Sequence, residues 1–89
     1  MTIQELEEKL LQYIDDSIDT ATDDELFAGG YLRGHISLAA AECESHGLTS
    51  VNDILIKISS SIESAKSELN PSDYQLICNF WNKLQSRTK

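Results

Sequence analysis

Eighty-nine residues suffice for one domain with one modest hydrophobic core, here taken as residues 1–89. One proline and four glycines are too few turn-formers for a β-sandwich or barrel. The net charge of −8 lies entirely in residues 1–25, which hold nine acids against Lys9, whereas residues 26–89 balance at zero. That asymmetry excludes DNA, RNA and anionic lipid as partners, since no basic patch offsets the acidic segment.

The elements fall out in chain order as four helices, at about 3–19, 23–46, 51–69 and 71–86. Helix 1 starts at Thr2, which has capping-box spacing to Glu5. At about 100° per residue, Ile3, Leu6, Leu10, Leu11, Tyr13, Ile14 and Ile18 share one face. Glu5, Glu8, Gln12, Asp15, Asp16 and Asp19 share the other. Helix 2 restarts at Thr22, a second capping-box match with Glu25, and Asp23, Asp24 and Glu25 fill a first turn where the helix dipole favours negative charge. Gly47 fits a left-handed residue closing this helix, with Leu48 as its apolar contact. Helix 3 carries a narrow stripe of Val51, Ile54, Leu55, Ile58, Ile62, Ala65 and Leu69. Asn70-Pro71 stops it and opens helix 4, whose inner face is Tyr74, Ile77, Cys78, Trp81 and Leu84. Short turns between helices of this length imply antiparallel neighbours, so the expected fold is all-α, an up-down-up-down four-helix bundle.

Helix 2 breaks the pattern, because it is apolar on two arcs. One holds Ala28, Leu32, Ile36, Ala39 and Cys43; the other holds Phe27, Tyr31, Gly34 and Leu38. A helix of this kind is either central in the fold or covered by a second chain. Leu76 and Phe80 also widen the apolar arc of helix 4, and Ile56 lies outside the helix 3 stripe. Such surplus apolar surface in a small domain points to an interface. Gly29, Gly30 and Gly34 inside helix 2 each cost about 1 kcal/mol against alanine. Close approach by a neighbouring helix or by a large side chain such as Trp81 is the simplest compensation.

Catalytic motifs are weak. Asp15-Asp16-Ser17-Ile18-Asp19 has the D-D-x-x-D pattern of isoprenoid synthases, but that fold is several times longer and needs two such motifs. Asp16-Ser17-Ile18-Asp19 resembles the attachment site of acyl carrier proteins, yet Ser17 is expected inside helix 1 with no long loop before it. Cys43 and Cys78 have neither metal nor redox spacing and read as small buried hydrophobes. His35, at the seam of the two arcs, reads as a hydrogen-bonded structural residue, and His46 pairs with Glu42. No catalytic residue and no cofactor is expected.

Asp15, Asp16 and Asp19 crowd the end of helix 1, where the dipole is already negative. Arg33 is expected too far along helix 2 to pair with them, nearer the level of Glu8 and Gln12. Residues placed against local energetics often mark a functional site. The expected function is therefore a non-enzymatic protein-protein interaction or adaptor module with an acidic face. Its surface candidates are Asp15, Asp16, Asp19, Asp24, Phe27, Tyr31, Arg33, His35, Ile56, Leu76 and Phe80. The partner is expected to be a protein, either a basic one or a second copy of this chain. The alternative is a metal- or small-molecule-binding domain using the acidic turn, with Asp15, Asp19, Asp23 and Asp24 as the ligands and Arg33 and His35 nearby.

The stretch Asp23-Asp24-Glu25-Leu26-Phe27-Ala28-Gly29-Gly30-Tyr31-Leu32-Arg33-Gly34-His35 resembles the hallmark segment of the YfcL-like family of small gammaproteobacterial proteins. The likeness runs from about Ile14 to Glu44. Further on, Asn70-Pro71-Ser72-Asp73 falls where the family's short turn before the last helix falls. The resemblance implies a cytoplasmic bacterial protein and brings no activity, cofactor or catalytic residue to carry over. A cytoplasmic location also agrees with an N-terminus that lacks a signal peptide's basic start and apolar stretch, and with the lack of any apolar run near the ~18 residues of a membrane span.

Overall fold

The computed structural model describes residues 1–87; positions 88 and 89 of the expected domain lie outside the described residues. The described residues are all-helical and contain no strand. Four α-helices, α1 (Ile3–Asp16), α2 (Asp23–Ser45), α3 (Val51–Ser64) and α4 (Pro71–Arg87), are joined by turns that include short 3₁₀ segments at Ile18–Thr20 and Ala65–Ser67.

Local chemistry sets each helix start. Thr2 accepts from the Glu5 amide at 3.1 Å while the Glu5 carboxylate accepts from the Thr2 amide at 3.1 Å. Thr22 and Glu25 repeat this reciprocal cap at 3.2 and 3.1 Å. The Ser50 hydroxyl accepts from the Asn52 amide at the start of α3, and the Asn70 side chain accepts from the Asp73 amide at the start of α4. Each cap satisfies backbone donors that would otherwise have no partner within the helix.

The stop of α2 is equally well defined. Leu48 donates its amide to the Cys43 carbonyl at 2.8 Å and Gly47 to the Glu44 carbonyl at 3.1 Å. This six-to-one and five-to-two pairing requires a left-handed residue between them, and Gly47 supplies it at φ 71°. Leu48 then packs against the core.

Helices α1 and α3 are shorter than their periodicity predicts. Helix α1 ends at Asp16 rather than near residue 19. The Ser17 hydroxyl donates to the Ile14 carbonyl at 2.9 Å, and the last turn holds no basic side chain to offset its acids. Thr20 and Ala21 then donate to Ser17 and Ile18, the three-residue step of a 3₁₀ turn. Ile18, expected on the buried face, is consequently 51% exposed. Helix α3 likewise tightens into a 3₁₀ turn from Ala65, ahead of the Asn70-Pro71 break.

Helix α2 is central. It packs against α1, α3 and α4, which touch one another less extensively. Its first apolar arc (Ala28, Leu32, Ile36, Ala39 and Cys43) lies wholly inside the core, together with Leu6, Leu10, Ile54, Ile58, Ile77 and Trp81. The indole Nε1 of Trp81 donates to the Ser59 hydroxyl at 3.1 Å, so this buried ring brings its polar edge to a partner.

The glycines of α2 differ among themselves. A Cβ on Gly29 would sit 3.2 Å from Ile14 Cγ2 and 3.6 Å from Phe80 Cζ. The close approach expected of Trp81 is thus made by Ile14 and Phe80, and only at Gly29. A Cβ on Gly30 or Gly34 would meet nothing within 4 Å.

Candidate functional site

The second apolar arc of α2 remains on the surface. Phe27 is 40% exposed and Leu38 56%, with Tyr31 half-buried between them. Leu26, beside Phe27 in sequence but about 100° around the helix, is 43% exposed. Between these side chains run Gly30 and Gly34, both exposed and bare of neighbouring atoms. The face is therefore a shallow trough, with glycine backbone for its floor and large apolar side chains along its edges. At the N-terminal end of α2 the trough meets a small apolar hollow of about 140 Å³ whose lining includes Ile14, Ile18, Leu26 and Gly30.

One edge of the trough is an aromatic row. Phe27, Tyr31 and His35 stand one turn apart, with ring centroids separated by 6.3 and then 4.6 Å; the Tyr31–His35 pair is stacked. His35 Nδ1 is hydrogen-bonded to the Ser61 hydroxyl of α3. Burial pushes the pKa of His35 below its usual value of 6.5. The His35 ring is thus held between the Tyr31 ring and the Ser61 hydroxyl.

The acidic segment resolves into paired and unpaired groups. Arg33 forks onto Asp15 through Nε to Oδ1 at 3.2 Å and Nη2 to Oδ2 at 3.0 Å. This corrects the expectation that Arg33 sits too far along the helix. With α1 ending at Asp16, Ile14 comes level with Gly29, and the Arg33 side chain leans back one turn toward the helix start. The guanidinium holds the Asp15 carboxyl below the usual carboxylate range. The Asp16 carboxylate accepts from Gln12 at 2.7 Å. Glu25 is held down in pKa first by the Thr22 backbone and hydroxyl, then by Lys83 at 3.4 Å. Asp19, Asp23 and Asp24 make no side-chain hydrogen bond or ion pair among the described residues, nor does Glu44 at the far end of α2.

The remaining candidates scatter. Phe80, expected as surface, is only 8% exposed and packs over Gly29, because the broad arc of α4 is used to cover α2. Leu76 is half-buried beside it. Ile56 is 63% exposed, on a separate cleft that it shares with Ser59, Glu63 and Gln85. His46 does bond to Glu42, but through the backbone carbonyl at 2.8 Å, the carboxylate being taken by Lys57 at 3.5 Å. Ser17 caps α1 and its hydroxyl is engaged with Ile14. Cys43 is buried, which raises its thiol pKa, and Cys78 is half-buried; both are free thiols. Among the described residues no group of three or more His, Cys, Asp or Glu side chains is placed to hold a metal ion. Leu26 and Leu38 complete the exposed arc but were absent from the expected surface set. Leu38 is readable from its spacing to Phe27, Tyr31 and Gly34, whereas Leu26 depends on where α1 ends.

Residues 4–86 match the family model described as YfcL protein. The chain belongs to the YfcL family. It is 45% identical over 84 residues to the protein named "Uncharacterized protein YfcL" of Escherichia coli strain K12, covering 92% of this chain and 91% of that one. No solved structure matches it. Membership in the YfcL family thus extends along nearly the whole chain. No helix among the described residues is long and apolar enough to cross a membrane.

Proposed function

We propose that this YfcL-family chain is a non-enzymatic protein-interaction module with an acidic face, working in the bacterial cytoplasm. One observation carries the reading: the central helix of the fold has a second apolar arc that the chain itself leaves uncovered, with Phe27, Leu26 and Leu38 each 40% exposed or more. Covering such side chains on a partner recovers roughly 25 cal/mol for every Å² of apolar surface removed from water. The unpaired carboxylates of Asp19, Asp23 and Asp24 beside this arc would steer a basic partner toward it and repel polyanions.

In this reading the helices form an up-down-up-down antiparallel bundle. Support comes from cross-helix pairs that run in opposite directions along the chain: Lys57 with Glu42 and Ser61 with His35 between α2 and α3, Lys66 with Tyr74 and Ser59 with Trp81 at the α3–α4 side. Helix α4 departs from strict alternation by packing mainly on α2 and crossing it, so that Lys83 near its end meets Glu25 near the α2 start and the Arg87 carbonyl accepts from the Tyr13 hydroxyl.

The test is to tag the chain at its native locus, cross-link cells with formaldehyde, and size the recovered complexes. A discrete complex with another protein, weakened by raised salt, is the expected result. Recovery of the chain only as a cross-linker-resistant monomer refutes the reading.

A further inference from the structure

Resting on the interaction-module reading, a more specific occupant can be assigned to the trough on α2. The trough runs from Leu26 to Leu38, which at 1.5 Å per residue is about 18 Å, or three turns of helix. Its floor, Gly30 and Gly34, carries no side chain, and nothing within 4 Å stands over it. Backbones approach closely only where such small residues lie between larger ones, and a helix laid there would seat its side chains between Leu26 and Ile18 on one edge and Phe27 and Leu38 on the other. Both glycines cost helix stability and neither is repaid by packing inside the chain, in contrast to Gly29 under Ile14 and Phe80.

Charge decides between the two sources of such a helix. Acids lie beyond both ends of the trough: Asp23 and Asp24 at the start of α2, two to three residues before Leu26, and Glu44 at its finish, six residues or about 9 Å past Leu38, are exposed and make no side-chain hydrogen bond or ion pair among the described residues. A second copy packing its own α2 antiparallel across the trough would bring Asp23 and Asp24 within about one turn of Glu44 at both ends, between two chains that each carry −8. Like charges facing each other across an interface select against that pairing. A foreign helix with lysine or arginine at both ends meets an acid at each end in either direction.

We propose that the glycine-floored trough of α2 seats an amphipathic helix of another protein, about six turns long, with small or apolar side chains on the middle turns of its docking face and basic residues at both ends. The experiment places the photo-cross-linking amino acid benzoylphenylalanine at Leu38, or separately at Ile56 on the α3–α4 cleft, in the full chain expressed at native level in cells. Illumination at position 38 is expected to give an adduct with another protein, whose cross-linked peptide, read by mass spectrometry, is helical with basic residues at both ends. Gly34→Leu, which fills the floor with a better helix former and leaves the core untouched, is expected to cut that adduct at least tenfold while the circular dichroism melt stays cooperative. Asp23→Asn combined with Asp24→Asn and Glu44→Gln is expected to cut it several-fold and flatten its salt dependence. An adduct at position 38 with a second copy of this chain overturns the proposal, as does one with an acidic segment, one indifferent to Gly34→Leu, or none. Heterologous adducts only at position 56 overturn the trough while leaving the interaction module standing. No heterologous adduct at either position overturns both.

Discussion

Replacing the three glycines of α2 by alanine, one at a time, separates helix propensity from packing. In a helix interior alanine is better than glycine by about 1 kcal/mol. At Gly30 and Gly34 the new methyl meets nothing within 4 Å, so the full gain is expected. In a domain of this size about 1 kcal/mol moves the melting temperature by roughly 4–8 °C. The two sites are one turn apart on the same face, close enough to couple, so the double variant should gain up to about twice as much. At Gly29 the methyl would lie 3.2 Å from Ile14 Cγ2, a few tenths of an ångström inside comfortable contact, with Phe80 closing the other side at 3.6 Å. Overpacking of this kind costs about 1–3 kcal/mol, which cancels or exceeds the propensity gain. Gly29→Ala should thus melt at or below the parent temperature. Combining it with Ile14→Leu, which moves the branch off Cβ, should recover part of the loss. Circular dichroism at 222 nm and the fluorescence of the sole tryptophan, Trp81, would follow both heat and urea unfolding. Equal stabilisation at all three sites would refute the packing argument at Gly29. Destabilisation by Gly30→Ala or Gly34→Ala would refute the claim that the trough is open in the free chain.

Other consequences follow from single features. Burial lowers the pKa of His35 below 6.5, so the unfolded chain takes up that proton more readily than the folded one, and stability should fall as pH drops below about 6.5. His35→Gln should flatten the slope of urea midpoint against pH in that range; an unchanged slope would show that His35 is not its source. Glu5, Asp15 and Glu25 have lowered values, so their contribution is complete above the ordinary carboxylate range and is lost only at more acid pH. Gly47→Ala forces a Cβ into the left-handed region at φ 71° and should cost about 1–2 kcal/mol in urea unfolding, whereas no loss would mean the turn re-forms without it. Leu38→Lys should leave stability within about 0.5 kcal/mol while lowering the fluorescence of bound anilinonaphthalene sulfonate, a reporter of exposed apolar surface. A large loss of stability would place Leu38 in the core instead.

The caps were the most legible part of this chain. Thr2 with Glu5, Thr22 with Glu25, Gly47 with Leu48, and Asn70 before Pro71 each mark a boundary through side-chain or backbone chemistry that acts within a few residues. Periodicity also assigned the inward residues of α1 and α3 up to their 3₁₀ ends. What it left open was the side of α2. Spacing identifies which residues share an arc, but Leu32 and Leu38 look alike to it, and only the docking of α1, α3 and α4 decides which arc is covered. The Arg33–Asp15 pair was missed for a related reason. Its register depends on six residues of turn, and a 3₁₀ segment with an extended Ala21 follows a different path from the continuous helix that periodicity suggests. Phe80 reads as surface in the sequence because a wide apolar arc on α4 looks like surplus until Gly29 opens a place for it.

Having three helices rest on a fourth also shapes how the molecule comes apart. Peeling α1 or α4 away breaks mainly one interface, whereas loosening α2 breaks three at once. The inward amides of α2 should therefore exchange with solvent only when the whole chain unfolds, while the outer helices open at lower cost. The trough lies on the reverse of that same helix. Anything bound there would lean on the most cooperative element of the fold, and the added protection should be felt in helices it never touches.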